Sequence, residues 1–473
     1  MADTFSDLIA AEDVLLFVNA AVTATGQREF RSDAQEQRLS LSFLHEYVRV
    51  NYRPLYAATL ALDINDHNAA LIIEALLRTA ADAAEAADKR AEGRLIAARL
   101  AMLPPPRVYR LFRALRAARV NNRRTRALMR DWLAARPDPA YDAVKYRAGM
   151  KTAARHAHVR LPDDEVGTFL FTSSGHLRYG NAFLEAYRRA RYEQAAVYEL
   201  PFTVAEGFAA RHGIPREVFL ERIAPRMTRL ERLRTQRTGP AAELSGMPLT
   251  RLALYALSLG VEERVARRAE LTGALRAAAR RAAGPYAGTW GRVAAVLDDS
   301  YSASGSGEKR RRPLAVALGC HFLLEALATT YTPRWTSGST DALLVRPWGP
   351  TPLGTRILDA LEAEPQRLVI VSDGWDNAPP GLAGEVLRVW RTRLDPERRT
   401  SVVHLNPVYD ADGFDVRRLA PSVPTAGIRD AEDLPALVEV AQFAEGRTGL
   451  AELRAYFDRR VELFLRTREE AEA

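Results

Sequence analysis

The chain has 473 residues, 47% of them apolar, which is enough for about two to four domains with real cores. Its one cysteine, Cys320, excludes an internal disulfide and a cysteine-ligated metal cluster, and we expect it to lie in a helix core. The net charge of +8 and the pI near 9.6 favour an acidic partner.

The sequence pattern predicts neither a membrane span nor a signal peptide. No stretch approaches the roughly 18 uninterrupted apolar residues of a membrane span. Residues 1–13 carry acids where a signal peptide would have a basic start and an apolar run. We therefore expect a soluble, cytoplasmic protein that acts as a monomer without a membrane segment.

Residues 5–283 have a helical pattern. Ala, Leu, Arg and Glu dominate, and apolar residues recur at spacings of three and four, as in Ile72, Ile73, Leu76 and Leu77. The pattern is interrupted by Pro-rich or Gly-rich clusters at 104–106, 136–139, 161–163, 213–215 and 239–240. Helices joined by short turns predict an all-α, HEAT-like solenoid of hairpins. The segment 284–288 indicates its end.

One part of the helical region, residues 101–160, is strongly basic and is called the basic segment below. It has fifteen basic residues against three acidic ones, a local charge of +12 in a chain whose total is +8. The acids are Asp131, Asp138 and Asp142. A coding bias explains the preference for Arg over Lys, but it does not explain the loss of acids from this one segment. A surface that binds phosphates does explain it.

Aromatic residues interleave with these bases. They are Tyr109, Phe112, Trp132, Tyr141 and Tyr146. Arg offers a planar fork to phosphate, and aromatic rings can stack on unpaired bases. The alternative, that most of these rings belong to the helix core, stays open.

After residue 286 strands and helices alternate. We predict strands at 293–297, 342–346, 367–372 and 401–406, with helices at 313–328, 353–363 and 381–394 between them. Two helices, 434–444 and 450–468, close the chain. This alternation predicts an α/β doubly wound parallel sheet. The domains are therefore expected to be 1–286, helical, and 287–473, α/β.

Oxygen-bearing side chains follow the predicted strands. The first strand ends in Asp298-x-Ser300-x-Ser302, Thr351 lies in a later loop, and Asp373 follows the strand at 367–372. Mg²⁺ prefers near-octahedral oxygen ligands at about 2.1 Å. Three hydroxyls and two carboxylates suit it, and they leave a position for an acidic group from outside. The alternative is an ordinary strand-to-turn sequence with helix-capping hydroxyls.

The order Asp298-x-Ser300-x-Ser302, then Thr351, then Asp373-Gly374, resembles the metal-ion-dependent adhesion site of von Willebrand factor A domains, which have a Rossmann-like fold. That resemblance implies Mg²⁺ or another divalent cation as the cofactor. A basic helical region followed by such a domain resembles the Ro autoantigen, or TROVE, family. The resemblance implies RNA binding by a helical ring, with single-stranded RNA ends in its hole and structured RNA on its rim.

Local matches to the Ro family lie at Asp131-Trp132, at Lys145-Tyr146 and in 149–158, where Lys151, Arg155 and His158 fall in register. The family's first histidine, which helps to bind RNA, is Met150 here. The family's Met-Pro-Leu-Thr motif matches either 247–250 or a segment near 227, and both remain open. The predicted RNA-binding residues are Arg119, Arg123, Arg124, Lys145, Arg147, Lys151, Arg155 and His158.

The resulting prediction is a non-enzymatic RNA-binding protein for small non-coding RNA, structured or misfolded RNA, or single-stranded RNA ends. Its metal site would dock a protein partner, a nuclease or another protein, through an acidic residue. The alternative is a protein adaptor, for example for an AAA+ ATPase, that does not bind RNA. A hydrolase triad of Ser302, Asp373 and His321 or His404 is a weaker hypothesis, because the motif context favours a metal loop.

Overall fold

A computed structural model describes residues 4–83, 85–159, 164–172, 177–228, 246–421, 423–437 and 450–472, together with residues 231 and 244. No helix in these ranges combines the length and the apolar character needed to cross a bilayer. The predicted breaks at 161–163 and 239–240, and most of the predicted helix 434–444, lie outside them.

The described α-helices are Phe5–Thr23 (α1), Ala34–Asn51 (α2), Arg53–Ala58 (α3), Asp66–Arg78 (α4), Ala86–Met102 (α5), Pro105–Ala117 (α6), Arg123–Ala134 (α7), Pro139–Lys145 (α8), Arg147–Ala157 (α9), Asp164–Phe171 (α10), Ala182–Arg189 (α11), Gln194–Val197 (α12), Phe202–Arg211 (α13), Arg216–Ile223 (α14), Leu249–Ser258 (α15), Val261–Ala266 (α16), Arg268–Ala283 (α17), Arg312–Leu327 (α18), Leu353–Leu361 (α19), Leu382–Val389 (α20) and Leu450–Glu472 (α21). Short 3₁₀ or π turns join some of them.

The strands are Arg292–Leu297 (β1), Thr330–Trp335 (β2), Arg367–Val371 (β3), Ser401–Asn406 (β4), Tyr409–Asp410 (β5), Asp415–Val416 (β6) and Thr425–Gly427 (β7). The predicted combination of a helical region with a C-terminal parallel sheet is therefore confirmed.

The chain forms two compact units. One contains residues 70–240, and the other combines residues 1–69 with 241–471. Helices from both ends of the predicted helical region thus belong to the same unit as the sheet. The division into domains at residue 286 stays a prediction.

Helix boundaries in the unit 70–240 follow the sequence signals. Helix α6 begins at Pro105 and α8 at Pro139, where a missing N–H costs no hydrogen bond. The Asn122 side chain accepts from the Thr125 N–H at 2.8 Å and caps α7. The predicted breaks at 104–106, 136–139 and 213–215 all coincide with the end of one described helix or the start of the next.

Helices α6 and α9 approach each other closely. A Cβ atom at Gly149 would lie 2.7 Å from Cβ of Tyr109, so only glycine permits this contact. The Tyr109 hydroxyl donates to buried Asp142 at 3.1 Å, and its ring meets the Trp132 ring edge-on. The core of this unit therefore contains Tyr109 and Trp132, two of the candidates for stacking on unpaired bases.

The five-stranded sheet has the order β2-β1-β3-β4-β7, and all its pairs are parallel. The predicted strand at 342–346 was wrong, because residues Ala342–Leu344 form a 3₁₀ turn. The strand is instead β2, which the prediction missed. It contains Pro333, which discourages a strand assignment but is tolerated here because β2 is an edge strand.

The sheet is covered on both faces. Ala294 and Val296 of β1 pack in one cluster with α19 and α20, whereas α18 contacts β1 and β2 and packs against α15 and α17. Successive side chains of a strand point to opposite faces, so α18 covers the face that carries Val293, Ala295 and Leu297. Helices on both faces agree with the predicted doubly wound arrangement.

The N-terminal helix covers the β7 end of the sheet. Asn19 of α1 donates to Asp415 at 3.0 Å and accepts from the Gly427 N–H at 2.9 Å. Helix α1 therefore satisfies polar groups at a sheet end, as an extra strand would. This role for residues 5–23 was not predicted.

Candidate metal centre and basic helical segment

The predicted metal residues lie where the strand order reverses. The chain runs from β1 through α18 to β2, and then through α19 to β3 on the other side of β1. The Asp298 N–H donates to the Val371 carbonyl at 2.9 Å, so the loops that follow β1 and β3 begin side by side. Ligands of open parallel sheets bind at this kind of point, outside the carboxyl ends of the strands.

The loop after β1 folds around the Asp298 carboxylate. Oδ1 of Asp298 accepts from the Ser300 N–H at 2.9 Å. The hydroxyl oxygens of Ser300 and Ser302 lie 3.2 Å apart. All three residues are buried. The pattern Asp-x-Ser-x-Ser therefore gathers one carboxylate and two hydroxyls in one enclosed place.

Asp373 comes to the same place from β3. The Ser302 hydroxyl lies close enough to its carboxylate to act against the rise in the pKa of Asp373, and Oδ1 accepts from the Trp375 N–H at 3.0 Å. Gly374 follows with φ of +77°, and a Cβ atom there would lie 2.6 Å from the Arg417 carbonyl oxygen. Glycine is thus required at the turn that presents Asp373.

Thr351 lies in a loop that is attached to the first one. The Trp348 N–H donates to the Asp299 carbonyl at 2.9 Å, and the Tyr301 N–H donates to the Gly349 carbonyl at 3.1 Å. Thr351 itself is buried, and its N–H donates to Asn377 at 2.8 Å. The structure therefore brings the segments of all five predicted metal residues together.

Electrostatics test whether these residues suit a cation. Burial, followed by the charge of Asp373, raises the pKa of Asp298 to about 7. Burial also raises the pKa of Asp373. Two buried carboxylates that repel each other are costly unless a proton or a cation accompanies them. With the neighbouring hydroxyls they form a set of hard oxygen donors, which fits Mg²⁺ or a similar ion.

Sequence reasoning missed the residues that clasp this loop. Asp299 accepts from the Ser337 N–H at 2.8 Å and from the Ser337 hydroxyl at 2.6 Å. The Thr336 hydroxyl oxygen lies 2.9 Å from Asp299 and 3.2 Å from Asp298. The sequence signal for this contact is a second carboxylate, Asp299, directly after Asp298. Its partners, Thr336 and Ser337, lie more than 30 positions away in sequence, so the signal does not identify them.

Other possible functional groups are further metal ligands and the two histidines of the hydrolase hypothesis, His321 and His404. In the described part of the chain no group of three His, Cys, Asp or Glu side chains is placed to hold a metal ion, and the predicted set itself has only two carboxylates. His404 Nε2 lies 3.1 Å from the Ser372 hydroxyl, and His321 Nδ1 lies 3.2 Å from the Tyr331 hydroxyl. Burial lowers the pKa of both histidines to about 4. Among the described residues, neither histidine forms a hydrogen bond with Ser302 or Asp373.

The eight predicted RNA-binding residues fall into two groups. Arg119, Arg123, Arg155 and His158 are exposed, and Lys151 is half-buried. His156 Nε2 donates to the Val120 carbonyl at 2.9 Å, which brings the turn with Arg119 beside the end of α9 that carries His158. These bases are available to a ligand.

The other three are engaged within the unit. Arg124 pairs with buried Glu92 at 3.1 Å. Lys145 donates to the Tyr141 hydroxyl at 3.0 Å, and Arg147 donates to the Phe169 carbonyl at 2.9 Å. Their first role is therefore to support the helices.

Two of the three acids in the basic segment are also used internally. Asp138 caps α8 by accepting from the Tyr141 N–H at 2.8 Å, and Asp142 is buried against Arg136 at 2.6 Å. The exposed arginines of the described residues 101–159 make no ion pair with a described acid. They are Arg110, Arg113, Arg116, Arg119, Arg123, Arg130 and Arg155.

The aromatic residues of the basic segment differ in their exposure. Tyr109, Phe112 and Trp132 are buried, which removes them as stacking platforms. Tyr141 and Tyr146 are only half-buried. The alternative that most of these rings are core is therefore correct for the first three.

Comparisons with known proteins add no relative to these observations. No protein-family model matches this chain, and no curated protein matches it significantly. Its function is therefore inferred from the residues and the geometry above.

Proposed function

We propose that this chain is an RNA-binding protein of the Ro type. Its HEAT-like helical region would bind small non-coding, structured or misfolded RNA, or single-stranded RNA ends. Its C-terminal α/β region would be a von Willebrand factor A-like domain whose Mg²⁺ site docks a protein partner. This activity is one of scaffolding or RNA quality control rather than catalysis.

One observation carries the RNA half of the proposal. The basic segment presents seven exposed arginines that make no ion pair with a described acid, while two of its three acids are engaged by a helix cap or a buried ion pair. Exposed bases without counter-charges attract a polyanion, and the release of its counterions on binding favours the complex.

The metal half rests on the position and chemistry of the five oxygen-bearing residues. The Ser300, Ser302 and Thr351 hydroxyls would hold the cation directly, and Asp298 and Asp373 would hold it in part through water. When bound, Mg²⁺ supplies a positive position that a carboxylate from another molecule can complete. The strand order agrees with a von Willebrand-type domain, since the site lies at the reversal between β1 and β3.

The RNA proposal is tested by the salt dependence of binding. The purified full chain is titrated with RNA recovered by crosslinking to the native protein. Affinity should fall by at least about tenfold between about 50 mM and about 200 mM salt, because several phosphate contacts release counterions. Equal affinity at both salt concentrations would refute the electrostatic basis of the proposal.

A second function, a protein adaptor that does not bind RNA, is favoured by a different observation. Tyr301 and Trp348 are exposed beside the candidate metal site, at 66% and 64%. Exposed aromatic residues at a partner-docking site suit protein recognition. Failure of the native protein to crosslink RNA, together with Mg²⁺-dependent binding of a protein partner, would favour the adaptor.

A further inference from the structure

The segment after α1 is fixed beside the metal loop. Buried Glu29 forms an ion pair with Lys309, which lies between the metal loop and α18. The Ser306 hydroxyl donates to the Arg28 carbonyl at 2.6 Å, and the Arg28 N–H donates to Glu308 at 3.2 Å. These contacts hold the chain at Arg28 and Glu29, and the Glu29 N–H donates to the Ser32 carbonyl at 3.1 Å across Arg31. Arg31 is therefore placed by structure and is not part of a loose tail.

Arg31 and Arg417 lie against the indole ring of Trp375. Their guanidinium carbons are 4.0 and 3.7 Å from the ring centroid. Two guanidinium groups cannot occupy one face of a ring at these distances, so each covers one face. Stacking leaves the N–H groups at the guanidinium edges free to donate.

This stack adjoins the metal site. The Trp375 N–H donates to the Asp373 carboxylate, and both guanidinium groups interact electrostatically with that carboxylate. Arg31 and Arg417 are exposed, and neither forms an ion pair with a described acid. They thus form a second position for an anion next to the cation site.

Aromatic side chains extend the same surface. Tyr301 lies on the metal loop with the edge of Phe30 against it at 5.8 Å, and Trp348 precedes the Thr351 loop. We call Arg31, Tyr301, Trp348, Trp375 and Arg417 the mouth of the metal site. Trp, Tyr and Arg are the residue types that dominate the binding energy of protein interfaces.

We propose that the mouth docks an acidic segment of a protein partner, with one carboxylate on the metal ion and a neighbouring carboxylate on Arg31 and Arg417. The inference rests on the partner-docking half of the proposed function and names its chemistry. A base cannot stack on Trp375, because arginine already covers both of its faces, so at this residue the arginine pair favours a carboxylate over a nucleotide.

The test uses labelled octaglutamate as the probe and the Mg²⁺-loaded full chain at about 150 mM salt, which weakens non-specific attraction to the basic segment. The double variant Arg31→Ala, Arg417→Ala should lose at least about tenfold in affinity, because it removes the charge-assisted hydrogen bonds of both guanidinium groups to the probe. Both side chains are exposed, so the variant should fold, which its thermal unfolding curve checks. Arg393→Ala removes an exposed arginine near the opposite end of the sheet and should bind octaglutamate as the wild type does.

A second arm separates this inference from RNA binding. A 5′-phosphorylated oligouridine should bind the double variant within about threefold of the wild type. The proposal is overturned if octaglutamate shows no Mg²⁺-dependent binding, if the double variant binds it like the wild type, or if oligouridine loses about tenfold in the double variant. If oligouridine binds neither protein while octaglutamate behaves as expected, the RNA proposal fails and the acidic docking site stands.

Discussion

The metal site and the basic segment present polar groups in opposite ways. At the metal site, residues from three loops converge, and Asp298, Ser300, Ser302, Thr351 and Asp373 are all buried. In the basic segment, the arginines available to a ligand are exposed. Burying two carboxylates together costs stability unless a proton or a cation accompanies them. Exposed arginines cost little, so they indicate only an attraction to anions.

The largest effect is expected at the metal site. Asp298→Ala should abolish Mg²⁺ binding, because this carboxylate organises the loop through the Ser300 N–H. The fold should survive, since the substitution also removes a buried acid from the Asp298–Asp373 pair. Calorimetric titration with Mg²⁺ measures the loss.

The matched control for this variant is Asp412→Ala, which removes an exposed acid elsewhere in the same unit. It should bind Mg²⁺ as the wild type does. Unchanged Mg²⁺ affinity in Asp298→Ala would remove the metal assignment.

The next effect is on RNA. The triple variant Arg119→Glu, Arg123→Glu, Arg155→Glu should weaken RNA binding by at least about tenfold, because exposed bases become acids. The slope of log affinity against log salt should become shallower by about one unit for each phosphate group that the variant no longer binds. Fluorescence anisotropy at several salt concentrations measures both quantities.

A triple variant elsewhere controls for overall charge. Arg393→Glu, Arg459→Glu, Arg466→Glu changes the net charge equally at exposed positions outside the basic segment. It should weaken RNA binding much less. Equal losses in the two triple variants would mean that total charge, and not the basic segment, governs binding.

A smaller effect distinguishes two adjacent arginines. Arg124 pairs with Glu92, whose side chain is only 5% exposed, whereas Arg123 is exposed. Arg124→Ala should lower the free energy of unfolding by about 2 kcal/mol, because the buried Glu92 carboxylate loses this ion pair. Glu92→Gln in the Arg124→Ala background should recover part of this loss.

Arg123→Ala is the comparison for Arg124→Ala. It should leave the unfolding free energy within about 0.5 kcal/mol of the wild type and reduce RNA affinity. Urea denaturation measures the free energy of unfolding of both variants, and RNA titration measures their affinity for RNA. Greater destabilisation by Arg123→Ala would reverse the roles assigned to the two residues.

A buried acid that is not among the predicted metal residues gives a pH test. Burial raises the pKa of Asp415 to about 6, against the ordinary value of 3.8. The folded state then binds the proton more tightly than the unfolded state, so this group reduces stability as pH rises toward 6. Asp415→Asn should gain about 1 kcal/mol over the wild type between about pH 5 and about pH 7.5.

Urea denaturation of the two proteins at both pH values measures that gain. Asparagine can still accept from Asn19, so the contact between α1 and the sheet end should persist. A difference between variant and wild type that does not change with pH would show that Asp415 is not protonated in the folded state.

The sequence predicts a set of candidate metal residues because their chemistry is local. Ligands follow strand ends, and the pattern around Asp298 can be read within a few positions. Arg31 was missed because it lies far from the site along the chain and is brought there by Glu29 and Lys309. No local pattern reveals a contact of that kind.

Secondary structure shows the same limit. The predicted strand at 342–346 is an apolar run, but Leu343 and Val345 are buried as a turn whose carbonyls accept from Arg264 at 2.7 and 3.0 Å. The true edge strand contains Pro333 and lacks a strong apolar pattern. Likewise, the sequence does not show that Arg123 is exposed while Arg124 is paired, because the position of Glu92 beside Arg124 depends on the tertiary structure.

The central claim is that the metal site and the RNA surface act independently. The most direct test is Asp373→Ala in the full chain, compared with the wild type for both Mg²⁺ and RNA. Mg²⁺ binding should be lost, while RNA affinity should stay within about threefold, a change of less than about 0.7 kcal/mol. A loss of RNA affinity greater than about tenfold in a well-folded variant would mean that the metal itself holds RNA, and the division of labour would be wrong.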